Sequence, residues 1–315
     1  MKKLFIVLLS LIVLSGCGEK SNAKYKVGVI QLVQHEALDN ATKGFKDALE
    51  EEFGDEVYVD VEVASGDSAT CALYANNFVA DNVDLIMCNA TPALQVASKA
   101  TSTIPILGTS VTEYGVALGI KDFNGLVGTN VSGTSDLAPL DKQADMILEL
   151  IPDCKKVGLL YCSSEDNSKY QIDVVQKYLN SKGVDNETYS FADANLLDSV
   201  VSKACSEVDV LYVPTDNTCA DNGMIIANAA SVNNIPIITG EKSTLLSCEG
   251  VATLSIDYYE LGRTTGQMAI EILKGESKIE EMKIRYYENP VKLYSEKQAN
   301  KFGVNIPSDY TKCED

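Results

Sequence analysis

The chain has no tryptophan, a single histidine (His35), and only 26 lysines and arginines against 45 acidic residues in 315 positions. Each scarcity removes a class of function. A nucleic-acid partner needs a basic face for its phosphates, which this balance does not offer. Setting aside residues 1–16, which hold Lys2 and Lys3, leaves 24 basic against 45 acidic side chains, a net charge near −21. That charge keeps the chain soluble and off anionic lipid. With one histidine and no CxxC pair, a zinc site has too few ligands. Ser163-Ser164 and the cysteines lack a histidine base, and no GxSxG occurs. GxxxxGK[ST] is also missing, and Gly125 and Gly128 lack the spacing of a dinucleotide fingerprint. The sequence therefore predicts neither an enzyme nor a cofactor.

Only one long apolar run is present, and it opens the chain. Lys2 and Lys3 precede Leu4 to Leu14, and Ser15-Gly16 leads into Cys17. The run is about half of the ~20 residues that span a bilayer, so residues 1–16 read as a signal peptide. Leu14-Ser15-Gly16-Cys17 resembles a bacterial lipobox, which implies lipidation of Cys17 and a tether over residues 17–24. Acyl chains contribute roughly 0.8 kcal/mol per buried CH₂, so the expected location is extracytoplasmic and lipid-anchored. Eight cysteines remain, expected mostly as small buried hydrophobes, with one or two disulfides left open.

The central region repeats itself. Lys26-Val27-Gly28-Val29-Ile30 recurs as Lys156-Val157-Gly158-Leu159-Leu160, and Val83-Asp84-Leu85-Ile86-Met87 as Val208-Asp209-Val210-Leu211-Tyr212. Ile104-Pro105-Ile106-Leu107-Gly108 recurs as Ile235-Pro236-Ile237-Ile238-Thr239, giving offsets of 130, 125 and 131 residues. Continuous apolar strands suit parallel sheets buried on both faces. Helical spacing separates them at 37–53, 92–100, 168–181 and 218–232. Strand and helix alternate, so the predicted class is α/β: two doubly wound parallel-sheet lobes joined by a three-crossing hinge. Residues 125–131 are expected to make the first crossing, 251–256 the second, and the chain near Pro290 the third. Lobe one is then 25–130 plus 257–289, and lobe two 131–256 plus 290–315. Helices at 137–150, 259–273 and 296–302 complete the pattern.

Ligands of open parallel sheets sit beyond the strands' carboxyl ends. Reading just past each strand yields Gln34, Thr91, Thr109, Ser110, Asn167, Ser168, Asp216 and Asn217. Hydroxyls, amides and isolated carboxylates of this kind suit a zwitterion. Its carboxylate is expected at a helix start such as Thr91-Pro92, with Thr91 as the cap. Asp216 or Asp257 is the expected anion for its ammonium, with helix capping as the alternative role of Asp216. His35 is expected to be structural, Tyr258 and Tyr259 to pack at the hinge, and Glu50 to Glu56 to be solvated.

Taken in order, Gln34-His35-Glu36-Ala37-Leu38-Asp39, Asn89-Ala90-Thr91-Pro92-Ala93, Val111-Thr112, Gly128 to Asp136, Asn167-Ser168, Val213 to Asn217 and Asp257 to Gly262 carry a likeness. Across the mature chain the sequence resembles bacterial ABC-transporter substrate-binding lipoproteins of the tryptophan/tyrosine type. Glu36 and Glu113-Tyr114 depart from that pattern, where proline and Asp-Pro are common. The resemblance implies a type I periplasmic-binding-protein-like fold and adds Asp136 to the candidate site. It implies a monomer that closes on a small solute, probed first as tryptophan, tyrosine or phenylalanine. Its implied partners are an ABC permease with a cytoplasmic ATPase, and the membrane through the lipid anchor. A ligand-sensing lipoprotein of the same fold, or a binder of another solute such as a nucleoside, stays open beside it.

Overall fold

The computed structural model describes residues 23–313. The expected signal peptide, the lipidation at Cys17 and most of the tether lie outside those residues. The first sheet holds β1 (Tyr25–Gln31), β2 (Val57–Val63), β3 (Leu85–Asn89), β4 (Ile106–Val111), β5 (Val131–Ser135) and β11 (Arg285–Tyr286). The second holds β6 (Lys156–Cys162), β7 (Asp185–Phe191), β8 (Val210–Val213), β9 (Ile237–Thr239), β10 (Ala252–Ser255), β12 (Val291–Tyr294) and β13 (Thr311–Lys312). Their orders are β2-β1-β3-β4-β5-β11 and β7-β6-β8-β9-β10-β12-β13. The two windings coincide over their first five positions, as the sequence repeat requires. Only the β10–β12 pairing within these sheets is antiparallel.

The helices are α1 (Glu36–Phe53), α2 (Ser68–Ala80), α3 (Thr91–Ala100), α4 (Tyr114–Leu118), α5 (Leu140–Leu150) and α6 (Asp166–Ser181). They continue as α7 (Ala194–Glu207), α8 (Asn217–Asp221), α9 (Gly223–Asn233), α10 (Lys242–Ser247), α11 (Tyr258–Leu273) and α12 (Glu296–Phe302). Expected helices recur with small boundary changes, except that the predicted 218–232 segment breaks into α8 and α9 at Asn222, whose φ is −114° and ψ 24°. Among the described residues, no helix is long and apolar enough to cross a membrane.

The repeated residues do repeated work. Asp84 accepts the Lys26 amide at 2.7 Å, and Asp209 accepts those of Lys155 and Lys156 at 2.8 and 2.9 Å. In each lobe, therefore, an aspartate entering the third strand pins the start of the first. A methyl group at Gly28 would lie 2.5 Å from the Phe78 ring, so the glycine lets α2 close onto β1.

The first crossing falls later than expected. Residues 125–131 do not leave lobe one; they lead into β5, which pairs with β4 in the first sheet. All five β5 residues are buried, because their small, mostly polar side chains fit between neighbouring layers. The chain crosses only after Ser135, returns between β10 and α11, and crosses again between β11 and β12.

Alpha-11 returns to lobe one through close backbone contact with α1. A Cβ on Gly44 would lie 2.1 Å from the Tyr259 carbonyl oxygen, and one on Gly262 2.0 Å from that of Ala41. Around this contact Phe45, Leu49, Met268 and Ala269 are buried in one apolar cluster with Val27 and Val29. Seven described cysteines are buried and Cys154 is partly so; Cys71, Cys88, Cys154, Cys162, Cys205, Cys219 and Cys248 are free thiols, so no disulfide joins any two of them. Gly262→Ala should destabilise the protein by about 2–3 kcal/mol in urea denaturation, despite alanine's better helix propensity, because the clash is backbone against methyl. Unchanged stability would rule out this docking of α11.

Candidate functional site

The two sheets point their carboxyl ends at one another, and a narrow, partly enclosed void lies between them. Lobe one contributes His35 from the start of α1, Ser110 from β4, Asp136 just after β5, and Tyr258 from α11. Lobe two contributes Asn167 from α6, Thr215, Asp216 and Asn217 around the start of α8, and Glu241 ahead of α10. Ala37, Leu38 and Ala220 supply apolar wall.

Local backbone geometry aims these groups. Ser110 has φ 54° and lies where the β4–β5 register shifts between Gly108 and Val111. Ala90, immediately before α3, has φ 98°. Two non-glycine residues at positive φ cost of order 1–3 kcal/mol each, a strain typical of binding sites.

Three carboxylates line this void and a fourth, Glu165, stands behind Asn217. Asp136, Glu165, Asp216 and Glu241 are 4, 4, 1 and 3% exposed. None of the ion pairs among the described residues reaches any of them. Three are satisfied by helix starts. Glu165 accepts the Asn217 and Thr218 amides at 3.1 and 2.9 Å, the Thr218 hydroxyl at 2.7 Å and Asn217 Nδ2 at 2.7 Å. Glu241 accepts the Ser243 and Thr244 amides, both at 2.5 Å, and the Ser243 hydroxyl at 2.8 Å. Asp216 accepts the Cys162 amide at 2.7 Å and the Cys219 amide at 2.8 Å.

Asp136 differs. Its Oδ2 accepts the Tyr258 hydroxyl at 3.0 Å, while its Oδ1 is buried without a partner. Burial pushes its carboxyl up to about 6, against the Tyr258 hydrogen bond and the nearby Thr112 hydroxyl and with a smaller push from Glu241. Asp216 is raised as well, by burial first and then by the Glu165 charge. His35 Nδ1, Asn167 Oδ1 and Ser110 Oγ are the other cavity atoms left without partners.

Five sequence candidates thus come together on the void: Ser110, Asp136, Asn167, Asp216 and Asn217. Ser168 and Thr109 sit behind it. The Ser168 hydroxyl accepts Asn167 Nδ2 at 3.2 Å, and Thr109 Oγ1 is 3.2 Å from Thr134 Oγ1. Thr91 does not cap α3. Ala90 occupies the cap position without a side-chain bond, and the buried Thr91 hydroxyl has no partner. Gln34 is exposed and borders an outer groove with Lys43 and Lys46 instead. Asp257 is also exposed, its carboxylate capping α11 through the Tyr259 and Glu260 amides. The candidates omitted His35, Thr215, Glu241 and Tyr258, although His35 and Glu241 stand in strand-end segments of the repeat. A carboxylate at Glu241, opening a helix just past β9, was the available signal.

Around the void the lobes touch through side chains. His35 Nε2 is 3.2 Å from Asn217 Oδ1, Gln95 Nε2 donates to Asp166 at 2.8 Å, and Lys242 pairs with Glu36 at 3.0 Å. Among the described residues no group of three or more histidines, cysteines or acids is arranged to hold a metal.

Comparison with known proteins places this geometry in context. The family described as ABC transporter substrate binding protein matches residues 26–313. A tyrosine-binding protein of Clostridioides difficile (strain R20291) is 38% identical over 260 residues, covering 82% of this chain and 75% of the relative. A Streptococcus pneumoniae structure in complex with L-Trp superposes with a TM-score of 0.87 at 31% identity, over 92% of this chain and 99% of that one. The ligand-free, open structure of a Clostridium difficile substrate-binding protein with adhesive properties gives 0.69 at 34% identity, over 92% and 100%. The two-lobed architecture is that of type I periplasmic binding proteins.

The buried Asp136 carboxyl predicts a specific pH dependence. Its folded-state value lies above the ordinary 3.8, so between about pH 4 and 6 the folded chain keeps a proton that the unfolded chain has lost. Stability from this group is therefore lost as pH rises, reaching a cost of about 3 kcal/mol at neutral pH. Ligand-free Asp136→Asn should exceed wild type in urea denaturation at pH 7.5 by about 1–3 kcal/mol, with the advantage gone by pH 4. A pH-independent difference would show that Asp136 is not held against its charge.

Proposed function

The chain belongs to the ABC transporter substrate-binding proteins, a non-enzymatic, extracytoplasmic family that hands small molecules to a permease, and from that membership we propose an aromatic amino acid as its solute. L-Tyrosine, L-tryptophan and L-phenylalanine are the first ligands to test. The observation that carries this reading is the unpartnered Asp136 Oδ1 in a narrow void where, among the described residues, no basic side chain pairs with the acids. A buried carboxylate oxygen without a partner is costly, and an incoming ammonium removes that cost.

Asp136 and the open Oδ1 of Asn167 receive the ammonium. The Ser110 hydroxyl, buried and free to donate, faces the ligand carboxylate, and the unpartnered Thr91 hydroxyl lies at the α3 start behind it. Leu38, Ala37, Ala220 and the Tyr258 ring offer the apolar surface for a side chain. Asp216 is assigned to holding the α8 turn rather than the ligand, since both its oxygens already hold amides.

Closure of the two lobes over the solute is part of the proposal. The higher TM-score to the L-Trp complex than to the open, ligand-free protein supports it, as do the three lobe-to-lobe contacts. Micromolar capture corresponds to about −8 kcal/mol, and charge-assisted hydrogen bonds of ~1.5–3 kcal/mol each reach that with few residues. The protein then acts as a monomer anchored through Cys17, presenting its load to a permease with a cytoplasmic ATPase.

The test is a thermal-shift titration of protein freed from co-purified ligand by unfolding and refolding. An aromatic amino acid at 100 times its dissociation constant should add about 2.7 kcal/mol, a rise of a few degrees. Asp136→Asn should fold and lose that rise. A rise given by nucleosides alone, or wild-type affinity in Asp136→Asn, refutes this assignment.

A further inference from the structure

The ammonium reading leaves one cavity atom unassigned, and the hydrogen-bond chain around it defines its chemistry. Glu165 Oε2 can only accept, so the Asn217 group 2.7 Å from it is the amide nitrogen. Asn217 therefore turns its Oδ1 toward His35, 3.2 Å from Nε2. An amide oxygen accepts, which puts the ring hydrogen on Nε2. In that tautomer Nδ1 is an acceptor, buried and without a partner. Asn167 is oriented in the same manner: its Nδ2 donates to the Thr215 carbonyl and the Ser168 hydroxyl, both at 3.2 Å, leaving Oδ1 open.

Three acceptor-only atoms on this one void consequently lack donors: Asp136 Oδ1, Asn167 Oδ1 and His35 Nδ1. A primary ammonium has three N–H groups. We propose that His35, fixed in one tautomer by Asn217 and Glu165 from the opposite lobe, takes the third of them, so that the site selects free primary ammonium over N-alkylated or N-acylated ligands. The proposal rests on the ammonium reading above and extends it to the ligand's substitution state. Asn217 and Glu165 are positioning residues. Because Asn217 belongs to lobe two and His35 to lobe one, the tautomer is set only while the lobes are together. Recognition of the ammonium and closure are thus one event.

Calorimetric titration of wild type, His35→Leu and His35→Gln with L-tyrosine and N-methyl-L-tyrosine tests this, using the tryptophan pair if that parent binds more tightly. Wild type should favour the primary amine by about ten-fold or more. His35→Leu should weaken L-tyrosine by about ten-fold or more while changing the N-methyl ligand by less than about three-fold. His35→Gln, which restores an acceptor, should recover most of the loss. Asn217→Ala should give the same one-sided loss and replaces the leucine variant if that variant does not fold. Parallel loss of both ligands in these variants overturns the His35 assignment alone. A wild type that binds none of the three aromatic amino acids overturns the solute reading and this assignment with it.

Discussion

Negative charge buried without a cation is the constraint around which this cleft is organised. Four carboxylates converge where water is largely excluded, and an ionised carboxylate there is stable only if its oxygens are filled. Helix starts do most of the filling. Glu165, Asp216 and Glu241 each collect the free amides that open α8 or α10, or the amide closing β6. Those bonds build the second lobe's half of the cleft wall. Asp136 is left with one filled oxygen and one bare, which makes it the group that an arriving cation changes most.

The contacts that hold the lobes together are of a different strength. Glu36–Lys242 is an ion pair with both side chains more than two-fifths exposed, and Gln95–Asp166 is an exposed hydrogen bond. Exposed pairs contribute about 0–1 kcal/mol, so they bias the closed arrangement without locking it. Control of the lobe equilibrium then passes to whatever binds better in the closed form. Strain at Ala90 and Ser110 fits the same division of labour: part of the backbone cost is placed at the cleft, and sheet cores below it hold the geometry.

Much of this was legible from residue order. The repeated Lys-Val-Gly and Val-Asp segments gave two copies of one winding, and the structure shows why: equivalent aspartates pin equivalent strand starts. Strand ends likewise led to Ser110, Asn167, Asp216 and Asn217, and the family resemblance to Asp136. Gln34 and Asp257 lie off the void because position relative to a strand does not determine which way a side chain turns; one faces an outer groove and the other caps its own helix. Thr91 failed as a cap because Ala90, at positive φ, takes that place. Beta-5 was misassigned because Val131–Ser135 lacks the apolar run that marked its neighbours, its burial arising from small side chains between β4 and β11. The choice between Asp136 and Asp216 as the open anion depends on which oxygens already hold amides, and that information exists only after folding.

The α1–α11 contact also imposes an order of assembly. Lobe two's first five strands are contiguous, running from Lys156 to Ser255, whereas lobe one's α1 must wait for Gly262 and its neighbours. A chain emerging amino end first thus displays an uncovered α1 face for some two hundred residues before its partner helix arrives. Meanwhile the inserted lobe can pair its first five strands, with β12 and β13 added from the end of the chain. Each lobe is thus finished by chain that follows the start of the other, and a stall between residues 135 and 257 would leave the α1 face in the open.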